Sequence, residues 1–234
     1  MPSCLFWPPC MTQGHKVVGM FCVTLTVVKN ISNIQADQIM DRLVESLTVS
    51  PESGGGAASN FHKISGRQLQ GWFTSAEEVV GFILSAARSG SWRVHLTAVP
   101  DKGQACEYDR VYREPEALIG KRAQTLESLD ASRSPGGVQV TMAQGRSLVD
   151  SGTVPALGLI EAGMQLLGSI ERRRSDEGQE AGLLVNAGAS QRATADHLGV
   201  SQQAVSSRLQ AGYWYESRQV AYWMAHQLSE IVSH

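Results

Sequence analysis

Residues 191–210 read Gln191-Arg192-Ala193-Thr194-Ala195-Asp196-His197-Leu198-Gly199-Val200-Ser201-Gln202-Gln203-Ala204-Val205-Ser206-Ser207-Arg208-Leu209-Gln210. The spacing predicts two short helices joined by a tight turn. A helix-turn-helix needs a small residue where its helices touch and a residue tolerant of positive φ at the turn. It also needs an apolar residue that pins the second helix on the first. Ala195, Gly199 and Val205 stand at those places, four and six residues apart. Ser201 follows as the N-cap of the second helix, its hydroxyl placed to accept from a free backbone N–H. Thr194 and Arg208 depart from the pattern, because apolar residues are often found at their places. The second helix of such a unit enters the major groove, so the stretch points to double-stranded DNA. The alternative is a pair of bundle helices around a glycine turn that never meets DNA.

On the DNA reading, Ser201, Gln202, Gln203, Ser206 and Ser207 are the base-facing candidates at the start of the second helix. Gln202 or Gln203 suits adenine through bidentate amide pairing. Arg192 and Arg208 are phosphate candidates, and Gln191 adds a backbone contact.

Working outward, residues 176–186 form a first helix of the head with Ala181, Leu183, Leu184 and Val185 inward. A helix from Glu216 to Ile231 closes the chain. No pair of strands offers a wing. Tyr213, Trp214, Tyr215, Tyr222 and Trp223 form the densest aromatic cluster. It serves as a dimer contact or nucleic-acid stacking surface, or it packs the last helix onto the head. Packing is the simpler reading, since Leu209, Val220, Trp223, Leu228 and Ile231 need a core.

Further upstream the pattern alternates. Val17–Val28 reads as a buried strand, and a helix opens at Asn33 with Ile34, Ile39, Met40, Leu43 and Leu47 at helical spacing. Residues 50–58 are a loop. Two short strands, Phe61–Ile64 and Gln68–Phe73, meet at Gly66. Ser75 caps a second helix, with Glu77 and Glu78 suited to its positive end. Trp92–Val99 is the next strand. The order strand, helix, strand, strand, helix, strand predicts an α+β fold with a ferredoxin-like sheet domain. An extra helix over 114–129 and a strand at Val138–Met142 follow. The expected division is a disordered extension over 1–15, a sheet domain over 16–150, a linker helix over 151–175 and the helical head over 176–234. Met11 is an alternative start to Met1.

The composition is that of a folded protein, with 42% apolar and 18% charged residues. The net charge of −2 argues against a strongly basic nucleic-acid binder. Toward the C-terminus Arg172, Arg173, Arg174, Arg192, Arg208 and Arg218 are offset by Glu171, Asp176, Glu177, Glu180, Asp196, Glu216 and Glu230. One copy should bind DNA weakly, which predicts a homodimer on two half-sites. Cys4, Cys10, Cys22 and Cys106 make no disulfide framework and no zinc knuckle. Residues 1–16 lack the cationic start of a signal peptide, and Val17–Val28 is too short to cross a bilayer. A cytoplasmic protein without membrane association is expected, in which the sequon Asn30-Ile31-Ser32 has no role.

The order of parts resembles the SatD family of bacterial proteins, roughly from Val17 to Ile231. The resemblance rests on the turn Ser65-Gly66-Arg67-Gln68-Leu69-Gln70-Gly71, on Arg113 to Glu127, and most closely on Gly199 to Leu209. The sheet domain of such proteins is similar to that of nucleotide cyclases. There, acidic residues on the first strand and central turn hold divalent metal against a triphosphate. Here Arg67 and Gln68 stand in place of those acids, and Met20–Thr26 contains no carboxylate. The resemblance therefore implies a sheet domain without a metal site.

Other chemistry finds little footing. The chain has no Gly-x-Ser-x-Gly elbow. Gly54-Gly55-Gly56 is a polar loop, and Gly120-Lys121 lacks the upstream glycine of a phosphate loop. The six histidines are scattered, and His197 reads as a solvated side chain. No catalytic residue, metal or cofactor is expected. The sequence thus predicts a dimeric transcriptional regulator, not an enzyme, with a small-molecule effector of unknown kind as a further partner. The rival is a ligand- or protein-binding sensor or assembly module whose head does not bind DNA. A cyclase-like enzyme is the third reading.

Overall fold

The computed structural model describes residues 19–28, 30–48, 61–100, 137–142 and 153–233. Among them a five-stranded sheet and seven helices form a mixed α+β fold. The expected extension over 1–15, the loop over 50–58 and the helix over 114–129 lie outside the described residues.

The first strand, β1 (Gly19–Val27), sits at the centre of the sheet. Its side chains alternate across the sheet, as a strand's geometry requires. Phe21, Val23, Leu25 and Val27 are buried in the large core, while Cys22, Thr24 and Thr26 point to the other face. Helix α1 (Asn33–Thr48) follows. Ser32 and Gln35 form a reciprocal capping box: Ser32 Oγ accepts from the Gln35 N–H, and Gln35 Oε1 accepts from the Ser32 N–H. Strands β2 (His62–Ser65) and β3 (Gln68–Phe73) meet at Gly66. Helix α2 (Ala76–Ser89) starts at the expected cap, where Ser75 Oγ accepts from the Glu78 N–H at 3.3 Å. Strands β4 (Trp92–Pro100) and β5 (Val138–Met142) complete the sheet.

The strand order is β2-β3-β1-β4-β5. β1 pairs antiparallel with both β3 and β4, β2 pairs antiparallel with β3, and β5 runs parallel to β4. Two helices from the second half of the chain help cover the apolar face. Helix α3 (Thr153–Arg173) sends Ile160, Met164 and Leu167 into the core of the sheet. It also finishes the outer edge of β5, where Glu161 Oε2 accepts from the Val140 N–H and Gln165 donates to the Val138 carbonyl. The segment expected as a linker is therefore a core helix, because its apolar stripe has a sheet and α2 to bury against.

Helices α4 (Asp176–Asn186), α5 (Gln191–Leu198) and α6 (Gln202–Ala211) form a smaller unit. Its core is Ala181, Ala195, Val205, Leu209 and Trp214. Helix α7 (Trp214–Ser233) belongs to both halves. Trp214 completes the small core, whereas Ala221, Met224, Ala225, Leu228 and Val232 enter the large one. Val220 and Trp223, expected in the core, are instead 39% and 42% exposed. The buried stripe of α7 runs through Ala221, Met224, Ala225 and Leu228, and its close approach to α3 is at Gly163, where a Cβ would collide with the Met224 side chain.

Candidate nucleic-acid interface

The short helices at 191–211 owe their boundaries to local chemistry. Ser190 Oγ accepts from the Ala193 N–H at 3.1 Å and opens α5. Gly199 ends it at φ 65, a left-handed conformation that favours glycine. Ser201 Oγ accepts from the Ala204 N–H at 3.1 Å and opens α6. The three positions that the spacing singled out therefore have distinct environments. Ala195 and Val205 are buried together, and Gly199 makes the turn between them.

The face of α6 away from this core is polar and uncharged. Ser201, Gln202, Gln203, Ser207 and Gln210 are exposed, Ser206 is half-buried, and Val205 and Leu209 are buried. Helical geometry explains the division. At ~100° per residue, Gln203, Ser206, Ser207 and Gln210 share one arc, with Gln202 at its edge. The base-facing candidates are thus brought together, and Gln210 joins them unannounced. Its signal in the sequence is its spacing of four from Ser206 and seven from Gln203.

The phosphate candidates separate. Arg192 is exposed at the start of α5, and Gln191 beside it donates through Nε2 to the Tyr215 hydroxyl at 3.3 Å. Arg208 lies ~140° around α6 from Gln203 and is half-buried. Its charge acts on Glu177 at the start of α4. The Glu177 carboxyl is held below the usual carboxylate range, first by its own backbone N–H and the Ser175 hydroxyl, and further by Arg208. Arg208 occupies a place where an apolar residue was expected because it flanks α4. Thr194, the other departure, is fully buried, and its hydroxyl has no hydrogen-bond partner.

Behind this surface, a buried charged cluster joins the two halves of the chain. Arg174 follows α3 and is 5% exposed. It donates from Nε to the Gly212 carbonyl (3.0 Å) and from Nη1 to Glu171 Oε2 (2.7 Å) and Gln179 (3.0 Å). Its Nη2 donates to Ser217 Oγ at 2.9 Å. Arg218 pairs with the other oxygen of Glu171. Both guanidiniums lie against Trp214, at 4.6 and 4.8 Å from the ring centroid. A third arginine, Arg88 at the end of α2, donates to the Glu171 and Arg174 carbonyls and to Asp176. The run Glu171-Arg172-Arg173-Arg174 reads as surface charge, and no local pattern marks it as a junction.

In the turn between β2 and β3, Arg67 donates to the Val28 and Ile31 carbonyls and to Asn33 Oδ1. The β2–β3 turn is thus a cationic clamp on the start of α1. A shallow cleft at the junction is lined by Ser85, Arg88, Ser89, Arg172, Arg174 and Asp176. Its arginines already serve backbone carbonyls. No helix among the described residues is long and apolar enough to cross a membrane. Compared with known protein families, curated proteins and solved structures, the chain matches none.

Proposed function

We propose that the chain is a sequence-specific DNA-binding protein, a transcriptional regulator that reads a base edge with α6. The observation that carries this reading is the outer face of that helix. Amides and hydroxyls of Gln202, Gln203, Ser206, Ser207 and Gln210 cluster on it, and Val205 and Leu209 hold the opposite side. Such a face offers donors and acceptors for hydrogen-bond readout, which is where sequence discrimination comes from. α5 and α6 then act as the helix-turn-helix, with Gln191 and Arg192 against the duplex backbone.

In this reading the order β2-β3-β1-β4 is a ferredoxin-like sheet that serves dimerisation or sensing rather than catalysis. The resemblance to SatD proteins belongs to the same reading. The homodimer is assigned to the outer face of α3, where Gly158, Leu159, Ala162 and Leu166 are exposed without a charge among them. Leu159 and Leu166 are seven residues apart. A two-fold axis crossing α3 near Ala162 therefore sets Leu159 of one copy against Leu166 of the other.

The test is selection of duplexes from a random library by the full chain. Enrichment of paired half-sites about one duplex turn apart supports both the reader and the dimer. Failure to enrich any sequence refutes the reading. Leu166→Glu should convert the dimer to a monomer in sedimentation.

A second reading is favoured by charge. Between 176 and 233, Arg192, Arg208 and Arg218 stand against Asp176, Glu177, Glu180, Asp196, Glu216 and Glu230. An acidic head suits a sensor or assembly module that binds a protein rather than DNA. Salt dependence separates the two, because phosphate contact releases counterions and affinity then falls with added salt.

A further inference from the structure

The turn between α6 and α7 adopts a backbone conformation unfavourable to its sequence. Tyr213 has φ 48 and is the one non-glycine residue with positive φ among the described residues. The left-handed well disfavours a bulky L side chain, whereas glycine enters it freely. Gly212 stands immediately before but serves another need. A Cβ there would lie 3.1 Å from the Arg174 side chain and 3.2 Å from the Arg208 carbonyl. Glycine is used for that close approach, and the left-handed position falls to a tyrosine.

Packing does not explain the choice of side chain. Tyr213 is 58% exposed and Tyr215 is 50% exposed, while Trp214 between them is buried. The exposed Tyr215 hydroxyl nonetheless accepts a hydrogen bond from Gln191 Nε2 at 3.3 Å. That contact holds the phenol beside the N-terminus of α5. In a helix-turn-helix the first helix crosses the sugar–phosphate backbone while the second enters the groove.

We infer that Tyr213, Tyr215 and Gln191 form an uncharged clamp on a phosphodiester of duplex DNA. This rests on the reading of α5 and α6 as the DNA-binding unit, and it names how an acidic head holds the backbone. The phenol accepts from Gln191 and keeps its own O–H free to donate to a phosphate oxygen. Acceptance from the amide polarises that O–H and strengthens the donation. Tyr213, two residues earlier on the same segment, is exposed like Tyr215. Strain retained at an exposed aromatic residue fits a binding element better than a structural one.

The experiment uses the full chain and a fluorescein-labelled duplex enriched by the selection described above, titrated by fluorescence anisotropy. Tyr215→Phe should raise Kd by about tenfold, with the order of preference among duplexes and the Tm unchanged. Gln191→Ala should produce a similar loss, and the double variant should lose little more than either alone. Tyr213→Gly should move two readouts in opposite directions. Affinity falls, while Tm rises on the order of 2–4 °C as the strain is relieved. A fall in Tm with Tyr213→Gly would make that ring a packing element and overturn its part in the clamp. Binding within twofold of the parent for both tyrosine variants would overturn the clamp and leave the helix-turn-helix reading intact. Failure of the parent chain to enrich any duplex would overturn both.

Discussion

The Arg174 guanidinium lies over the indole of Trp214, its carbon 4.6 Å from the ring centroid, and both residues are buried. Trp214 meets a second guanidinium, that of Arg218, on a ring already in the small core. Burial lowers the Arg218 pKa, an effect that Glu171 opposes and Arg174 reinforces. The ring's π electrons and the single carboxylate of Glu171 together hold two cations away from water.

Glu171→Gln removes that carboxylate and leaves both guanidiniums uncompensated at nearly the same volume. The expected loss is about 3–5 kcal/mol, the range for breaking one partner out of a buried pair. Urea unfolding measures it. A loss below about 1 kcal/mol, typical of solvated surface pairs, would mean that water reaches the cluster.

Thr194→Val should behave in the opposite way. The hydroxyl is buried without a partner, and valine keeps the shape while removing the group that lost its water. The variant should be neutral or more stable by about 1 kcal/mol, read from the same unfolding midpoints.

The Cys22 thiol is pushed up to about 12, chiefly by burial, which outweighs hydrogen bonds from Thr24 and Gln70. The folded chain therefore holds this proton when the unfolded chain has lost it. Stability from this group is full below an unfolded pKa of about 8.5 and declines as pH rises from there toward the folded value. At pH 8, iodoacetamide should label Cys22 in the denatured chain and spare it in the native one, as peptide mass mapping can show. Rapid native labelling would refute the burial argument.

Gln203→Ala and Arg208→Ala should differ in kind. Gln203 stands on the exposed arc of α6, and its loss should cost about 1–3 kcal/mol of preference at one base. Arg208 stands toward α4, and its loss should leave DNA affinity within about twofold. Arg192→Ala should weaken binding to all sequences alike. Competition titrations against shuffled duplexes distinguish these outcomes.

A fragment spanning 176–234 should fail to fold by itself. It would carry α7 without α2, α3 and the sheet, leaving Met224, Leu228 and Val232 exposed to water. Far-UV circular dichroism should show a broad, uncooperative melt. A sharp transition would mean that the head is an independent unit.

Local chemistry was the legible part of this chain. Ser75 and Ser201 announce their helices because a cap is written within three residues of the N–H it serves. The alternation Val94, Leu96, Ala98 marks the buried side of β4 for the same reason. Long-range pairings leave no such trace. Nothing near Arg174 indicates that Gly212 and Ser217 will receive its protons. The side of α6 taken by Arg208 depends on where α4 packs. On α7, hydrophobicity favoured Trp223 for the core, yet it is exposed, and the contact with α3 is made by Met224 over Gly163, a pairing that nothing local announces.

The two flanks of the sheet differ in construction but agree in effect. On β5 the Val140 donor and the Val138 acceptor are already engaged by side chains of α3. On β2, Lys63 is drawn to Asp37 and Asp41 of α1 and sets charge beside the ladder. An extended segment from another molecule would find occupied hydrogen-bonding groups at one border and a lysine at the other. Runaway templating of the fibrillar kind is thereby discouraged even at high concentration.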